Sequence, residues 1–230
     1  MTIGIMQPYF MPYIGYFQLM KAVDKYIIYD DVNYIKGGWV SRNYLLINGE
    51  KKMFTITLKE ASPNKLFNEI EIKDDFKKLM KTLQLNYSKS VNFKEAMVLM
   101  ERIISFPNKQ LSQFIANSFQ EILNYLSIDT ELILSSNIYK NNTLKGQEKI
   151  LNICNILGAN TYYNAVGGQE LYSKEKFKEN GIMLNFIETM IQPYPQPHTR
   201  SFVPSLSMID VLMNNSKEEI NALLDSFILR

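Results

Sequence analysis

The 230 residues predict an α/β fold built on a parallel sheet, and three features of the pattern carry that prediction. Short β-branched and aromatic runs alternate with stretches whose apolar residues recur at helical spacing, which is how strands joined by covering helices read. The start of the chain, "TIGIM", a Pro-rich loop, "GYFQLMKAVD" and "KYIIYDDV", fits strand, loop, helix and strand into about thirty residues, the size of a βαβ unit. Hydrophobic residues make up 46% of the chain, enough to cover a sheet on both faces.

Each element follows from local chemistry. "TIGIM" is the first strand and Pro8 stops it; Phe17, Leu19, Met20 and Val23 then recur with helical period, and "KYIIYDDV" returns to a β-rich run. "NYLLINGEKKMFTITL" predicts a β-hairpin, because Asn48-Gly49 between two alternating apolar runs favours a type I′ turn. From 74 to 127 the pattern changes. "DDFKKLMKTLQLNYSKS", "NFKEAMVLMERIISF" and "KQLSQFIANSFQEILNYL" are amphipathic over three turns or more, an inserted helical lobe within a single domain of residues 1–230. Beyond it, "TELILSS", "TYYNAV" and "IMLNFIE" are short strands separated by helices around 144–158 and 172–180, with Gly158 and Gly181 at C-cap positions. A Pro-rich loop leads into a final helix starting near Ser205 or Ser207. Taken together, this is a Rossmann-like parallel sheet with a βαβ start, a β-hairpin and a helical lobe.

Charge and composition narrow the function. The 25 Lys+Arg and 23 Asp+Glu nearly cancel and the basic residues are scattered, so a duplex nucleic acid is not the expected partner. One cysteine excludes a disulfide scaffold, and one histidine without a Cys cluster argues against a zinc site, so no metal ligands are assigned. Cys154 sits in "KILNICNILGA" among apolar residues at helical spacing and reads as core filler. Residues 1–20 lack a basic leader and cleavage site, and no apolar run is long enough for a bilayer, so a cytoplasmic protein without membrane attachment is expected. Nothing fixes the oligomeric state, and a homo-oligomer stays open.

In an open parallel sheet ligands bind beyond the carboxyl ends of the strands, which singles out the loop after the first strand. Pro8 and Pro12 stiffen it and Gly15 permits close backbone approach at the following helix start. Its Gln7, Tyr9, Tyr13 and Tyr16 offer aromatic surface and hydroxyls that need partners. After the second strand, "YDDVNYIKGGWVSRN" supplies Asp30 and Asp31, to orient an amine or bind Mg²⁺, and Lys36, Trp39, Arg42 and Asn43. The only tryptophan beside Lys and Arg is a common way to hold a sugar nucleotide. "YYNAVGGQELY" adds Asn164 and Gln169 around a glycine pair, neutral groups suited to hydroxyl-rich ligands. His198, the only histidine, and Arg200 lie in "QPYPQPHTRSF". Asp210 reads as a plain helix-start carboxylate.

"MQPYFMPYIGYFQLMKAVDKYIIYDDVNYIKGGWVSRN", "YYNAVGGQELY" and "FVPSLSMIDVLM" together resemble the WbqC-like family of bacterial proteins, over essentially the whole chain. Members are often encoded with O-antigen and other surface-polysaccharide functions. The resemblance implies decoration of an amino sugar, with transfer of glycine or another acyl group. A second, partial resemblance links the strand, Pro-Tyr-Ile-Gly-Tyr and apolar helix to the P-x-x-H-x-G-H layout of nucleotidylyltransferases and of amide-forming synthetases such as pantothenate synthetase. Tyr13 and Tyr16 stand where that layout has its histidines, and no lysine-rich signature loop follows.

The leading expectation is therefore an amide-forming N-acyl or aminoacyl transferase acting on an amino sugar, as a nucleotide-linked or lipid-linked precursor of O-antigen or other surface polysaccharide. Asp30, Asp31 and His198 are its candidate general bases. ATP with Mg²⁺, or an acyl carrier, is the candidate cofactor. The alternatives are a non-catalytic sugar-nucleotide-binding partner of another enzyme, and an ATP-dependent adenylate-forming ligase or nucleotidylyltransferase.

Overall fold

The computed structural model describes residues 1–230. The predicted βαβ unit is β1 (Thr2–Met6), α1 (Ile14–Lys21) and β2 (Lys25–Ile28), and the hairpin is β3 (Arg42–Ile47) with β4 (Glu50–Thr55). A short antiparallel pair, β5 (Leu58–Lys59) and β6 (Glu71–Ile72), precedes α2 (Lys77–Tyr87), α3 (Phe93–Ile104) and α4 (Leu111–Leu126). Then β7 (Glu131–Leu134), α5 (Gly146–Ile156), β8 (Thr161–Ala165), α6 (Lys174–Glu179) and β9 (Met183–Thr189) alternate as expected. The tail forms α7 (Met208–Asn214), α8 (Lys217–Leu224) and β10 (Phe227–Leu229).

The main sheet runs β10-β9-β8-β1-β2-β7. All its pairs are parallel except β10 on β9. The chain moves outward from β1 to β2 and β7, then returns to the other side of β1 with β8 and β9, so the order reverses between β1 and β8. That reversal is the Rossmann-like feature, and sheets of this kind bind ligands beyond the carboxyl ends of their strands.

Strand alternation divides the core. Ile3, Ile5 and Ile27 face one side with Tyr162, Leu184 and Phe186, where Cys154 of α5 and Phe177 of α6 cover them. Tyr26, Ile28 and Leu134 face the other side, against α1 and α4. There Phe119 meets Phe17 and Tyr26 edge-on at 5.7 and 6.2 Å. Each such fully buried ring contributes about 2–3 kcal/mol. The helical segment is not set apart: Phe76 and Phe114 stack at 5.3 Å, and both lie 5.9 Å from Phe10 of the N-terminal loop.

That loop, residues 7–13, is tied down at almost every residue. Met11 is buried in the left-handed region at φ 48°, and its carbonyl accepts from Asn43 Nδ2 and Ser207 Oγ, each at 2.8 Å. On either side, the Phe10 amide donates to the Val40 carbonyl and the Met208 amide to the Pro12 carbonyl, both at 2.8 Å. The apolar start of the chain thereby joins sheet, hairpin and α7.

Two differences from expectation lie in the tail. The expected final helix is broken at Asn215-Ser216, because Ser216 and Glu219 form a reciprocal capping box that starts α8 afresh. The last residues return as β10, an antiparallel edge strand. No helix is long and apolar enough to cross a membrane.

Two predictions follow from this packing. Cys154 is fully buried and its thiol is pushed up to about 12 by that burial, which keeps it protonated and unreactive. Cys154→Ala should lower stability by about 1 kcal/mol through lost packing while leaving any activity intact, measured by urea unfolding beside a turnover assay. A Cβ on Gly15 would fall 2.5 Å from the Tyr13 ring and 2.6 Å from Thr189 Oγ1. Gly15→Ala would gain about 1 kcal/mol in helix propensity, but a clash of that size costs about 1–3 kcal/mol, so net destabilisation and a displaced Tyr13 are expected. A more stable variant in urea would contradict this.

Candidate functional site

The loop after β1 and the β3–β4 hairpin enclose a cleft of about 580 Å³. One side is tyrosine: Tyr9 and Tyr16 lie 5.3 Å apart, and Tyr13 meets Tyr16 edge-on at 6.2 Å. Burial pushes the Tyr9 and Tyr16 hydroxyls above the ordinary tyrosine range, so both remain protonated donors at neutral pH. Gln7 Oε1 accepts from Tyr9 at 3.2 Å, which fixes the first ring.

The opposite side is a ladder of cations and rings. Arg42 Cζ lies 5.7 Å from the Trp39 ring, Trp39 lies 5.6 Å from Tyr44, and Lys51 Nζ lies 4.7 Å over Tyr44. β3 explains the spacing, since Arg42 and Tyr44 are two residues apart on one strand face and Lys51 comes across from β4. Arg42 Nε is buried without a hydrogen-bond partner, and the guanidinium has no ion pair. An unpaired cation stacked on an indole is what an incoming anion would complete. Trp39 keeps 45% of its surface exposed, unusual for an indole and suited to covering a ligand. Pro12, Asn43 and Ser205 close the lining.

The two aspartates after β2 are engaged elsewhere. Both carboxylate oxygens of Asp30 accept from Ser136, one from its amide and one from its hydroxyl, at 2.8 Å. Burial nonetheless leaves its pKa raised. Burial would also raise Asp31, but Lys140, Ser135 and Lys149 outweigh it and hold that carboxyl below its usual range. Its Oδ2 lies 2.7 Å from Lys140 Nζ and 3.1 Å from Lys149 Nζ, and its Oδ1 accepts from Ser135 at 2.6 Å. Neither aspartate lines the aromatic cleft. The structure thus places Tyr9, Tyr13, Tyr16, Trp39 and Asn43 together, with Arg42 stacked behind Trp39, and sets Asp30 and Asp31 apart from them.

The other candidates are scattered. Lys36 is exposed on the turn before Trp39. Asn164 is buried and spends its side chain on the Ala165 amide and the Tyr162 hydroxyl, while Gln169 is exposed on the following 3₁₀ turn. His198, at φ 61°, and Arg200 are exposed. The His198 carbonyl sits 2.1 Å from where a Cβ on Gly49 would lie, so the Pro-rich loop rests on the hairpin turn rather than in the cleft. Asp210, fully buried, accepts from Tyr87 and Tyr194 hydroxyls at 2.7 Å and from Gln196 at 3.0 Å, and anchors that loop to α7. Sequence reasoning passed over Tyr44 and Lys51. The hairpin register held the signal, because it brings Lys51 beside the face that carries Arg42 and Tyr44.

Comparison with known proteins agrees in extent with these elements. The uncharacterized protein Rv1507c of Mycobacterium tuberculosis is 26% identical over 222 residues, covering 94% of each chain. No solved structure matches. The model of the WbqC-like protein family matches residues 7–222, from the loop that holds the tyrosines to the last helix. This chain therefore belongs to the WbqC-like protein family.

Proposed function

We propose that the aromatic cleft binds an amino-sugar nucleotide, and that the protein transfers an acyl or aminoacyl group, glycyl among the candidates, to its amine in O-antigen or other surface-polysaccharide biosynthesis. The single observation that carries the ligand class is the row of Trp39, Tyr44 and Lys51 facing the tyrosine cluster, with Arg42 behind Trp39. Rings offer stacking faces for a base or a sugar, Lys51 on the lining offers a charge for a phosphate, and Arg42 behind Trp39 adds a second cation without an ion pair. About 580 Å³ lies within the range of small-molecule sites. The polysaccharide context rests on the family resemblance.

The chemistry would be amide formation. The sugar amine's lone pair forms the new C–N bond at the donor carbonyl, the leaving group departs with its electron pair, and the ammonium proton passes to that leaving group or to water. A protonated tyrosine of the cleft would donate to the carbonyl oxygen as negative charge builds there. ATP with Mg²⁺, or an acyl carrier, would enter on the donor side.

One observation favours a second reading, ligand binding without turnover: no carboxylate, imidazole or thiol lines the cleft. Mass spectrometry of the pure protein with amino-sugar nucleotides, amino acids, ATP and acyl-CoA separates the two. An acylated sugar product supports transfer, whereas binding with no product supports the partner role.

Trp39→Ala and Arg42→Ala should each weaken binding of a nucleoside-diphosphate amino sugar about 10-fold, and Arg42→Lys should not restore it, because lysine lacks the planar fork. Calorimetry reads this directly. Unchanged affinity in both alanine variants would remove the cleft from consideration.

A further inference from the structure

A second cleft, of about 630 Å³, opens where β2 and β7 end, and it shares no lining residue with the aromatic cleft. Tyr29, Asp31 and Asn68 line it on the β2 side, and Lys140, Lys145 and Lys149 on the side where the chain leaves β7 and enters α5. Its charge is unbalanced: three lysines face one aspartate. Asp30, the other carboxylate nearby, does not line it and is taken by Ser136. Glu148, on the first turn of α5, is taken by Lys176.

Two of these cations are held where water barely reaches. The Lys140 side chain is 1% exposed and that of Lys149 7%, yet both share the single Asp31 carboxylate. Removing an ammonium from water costs several kcal/mol, and one carboxylate cannot fully offset two of them. Lys140 spends its donors on Asp31 and the Ser135 and Ile138 carbonyls. Lys149 spends two, on the Asp31 carboxylate and the Asp31 carbonyl, and its Nζ lies 5.2 Å from the centre of the Tyr29 ring, which also lines the cleft. Lys145 is exposed and has no ion pair. Asp31 thus positions the buried pair without neutralising the cleft.

We infer that this second cleft binds the phosphates of a second ligand, with Lys149 and Lys145 as its donors and Lys140 with Asp31 holding Lys149 in place. The first turn of α5 begins at this cleft, since Lys145 and Gly146 line it, and no side chain caps its first amides. The inference stands on the charge and enclosure of this cleft and does not depend on what the aromatic cleft takes. A nucleoside triphosphate and a phosphate-bearing thioester carrier share the required diphosphate.

The test is calorimetric titration of the intact protein with inorganic pyrophosphate, ATP and coenzyme A, at low and at raised ionic strength. Pyrophosphate should bind at a site that Lys145→Glu weakens, and binding there should weaken with salt. Lys145→Glu, on an exposed residue that carries no packing, should weaken it about 10-fold, and Lys149→Gln at least as much, while Arg42→Ala leaves it unchanged. Thermal unfolding beside Lys149→Gln reports whether that variant is folded, and Lys145→Glu decides the matter if it is not. ATP binding more tightly than coenzyme A assigns a nucleotide, and the reverse a carrier. No binding of any of the three, or binding that Arg42→Ala abolishes and Lys145→Glu leaves intact, would overturn the inference.

Discussion

The Met11 carbonyl is the point on which the rest of the molecule depends. It accepts from a hairpin side chain, Asn43, and from the helix-capping hydroxyl of Ser207, and so joins segments 32 and 196 residues away from it. The carbonyl serves both donors through its two lone pairs, and Met11 holds it there in a left-handed backbone conformation, which for a residue with a side chain costs about 1 kcal/mol or more. Two hydrogen bonds in a buried setting, at about 1 kcal/mol each, offset that cost. Burial of Phe10 and Met11 adds to them. The flanking prolines limit what the loop can do in the unfolded chain, so less entropy is lost in fixing it. The aromatic cleft inherits this rigidity, since Tyr9 and Tyr13 lie in the same loop and Tyr16 one turn beyond.

Charge is distributed so that the buried carboxylates serve the frame and the cations serve the surfaces left open. Asp30 ties the end of β2 to Ser136, Asp31 ties it to two lysines, and Asp210 gathers Tyr87, Tyr194 and Gln196. Tyr87 also accepts from the Leu46 amide, so Asp210 reaches through it to the hairpin. Burial raises Asp210, and its donors work against that rise, which is the signature of a carboxylate kept for hydrogen bonding. With these groups committed, what remains around the aromatic cleft is mostly donors, tyrosine hydroxyls and Lys51, with Arg42 behind Trp39. A rim of donors selects ligands that bring acceptors, above all phosphates and carbonyls.

Local rules were legible where the structure is local. The βαβ start, the amphipathic helices, the Gly158 and Gly181 caps at φ 68° and 73°, and the Asn48-Gly49 turn with both φ values positive all follow from chemistry within a few residues. The tyrosines of the first loop were legible as a group for the same reason. Partners brought from afar were not. Asp31 looks like a free acid in "YDDV", and only the β2–β7 pairing sets it against Lys140 and Lys149, more than a hundred residues downstream. Lys36 and Lys51 are equally plain in sequence, yet the hairpin register stacks Lys51 on Tyr44 and leaves Lys36 in solvent. Sequence spacing reveals which residue types a loop presents. Which of them stay unpaired, and so are free to meet a ligand, is decided by sheet order, and here that order commits the acids while leaving Arg42 without a partner.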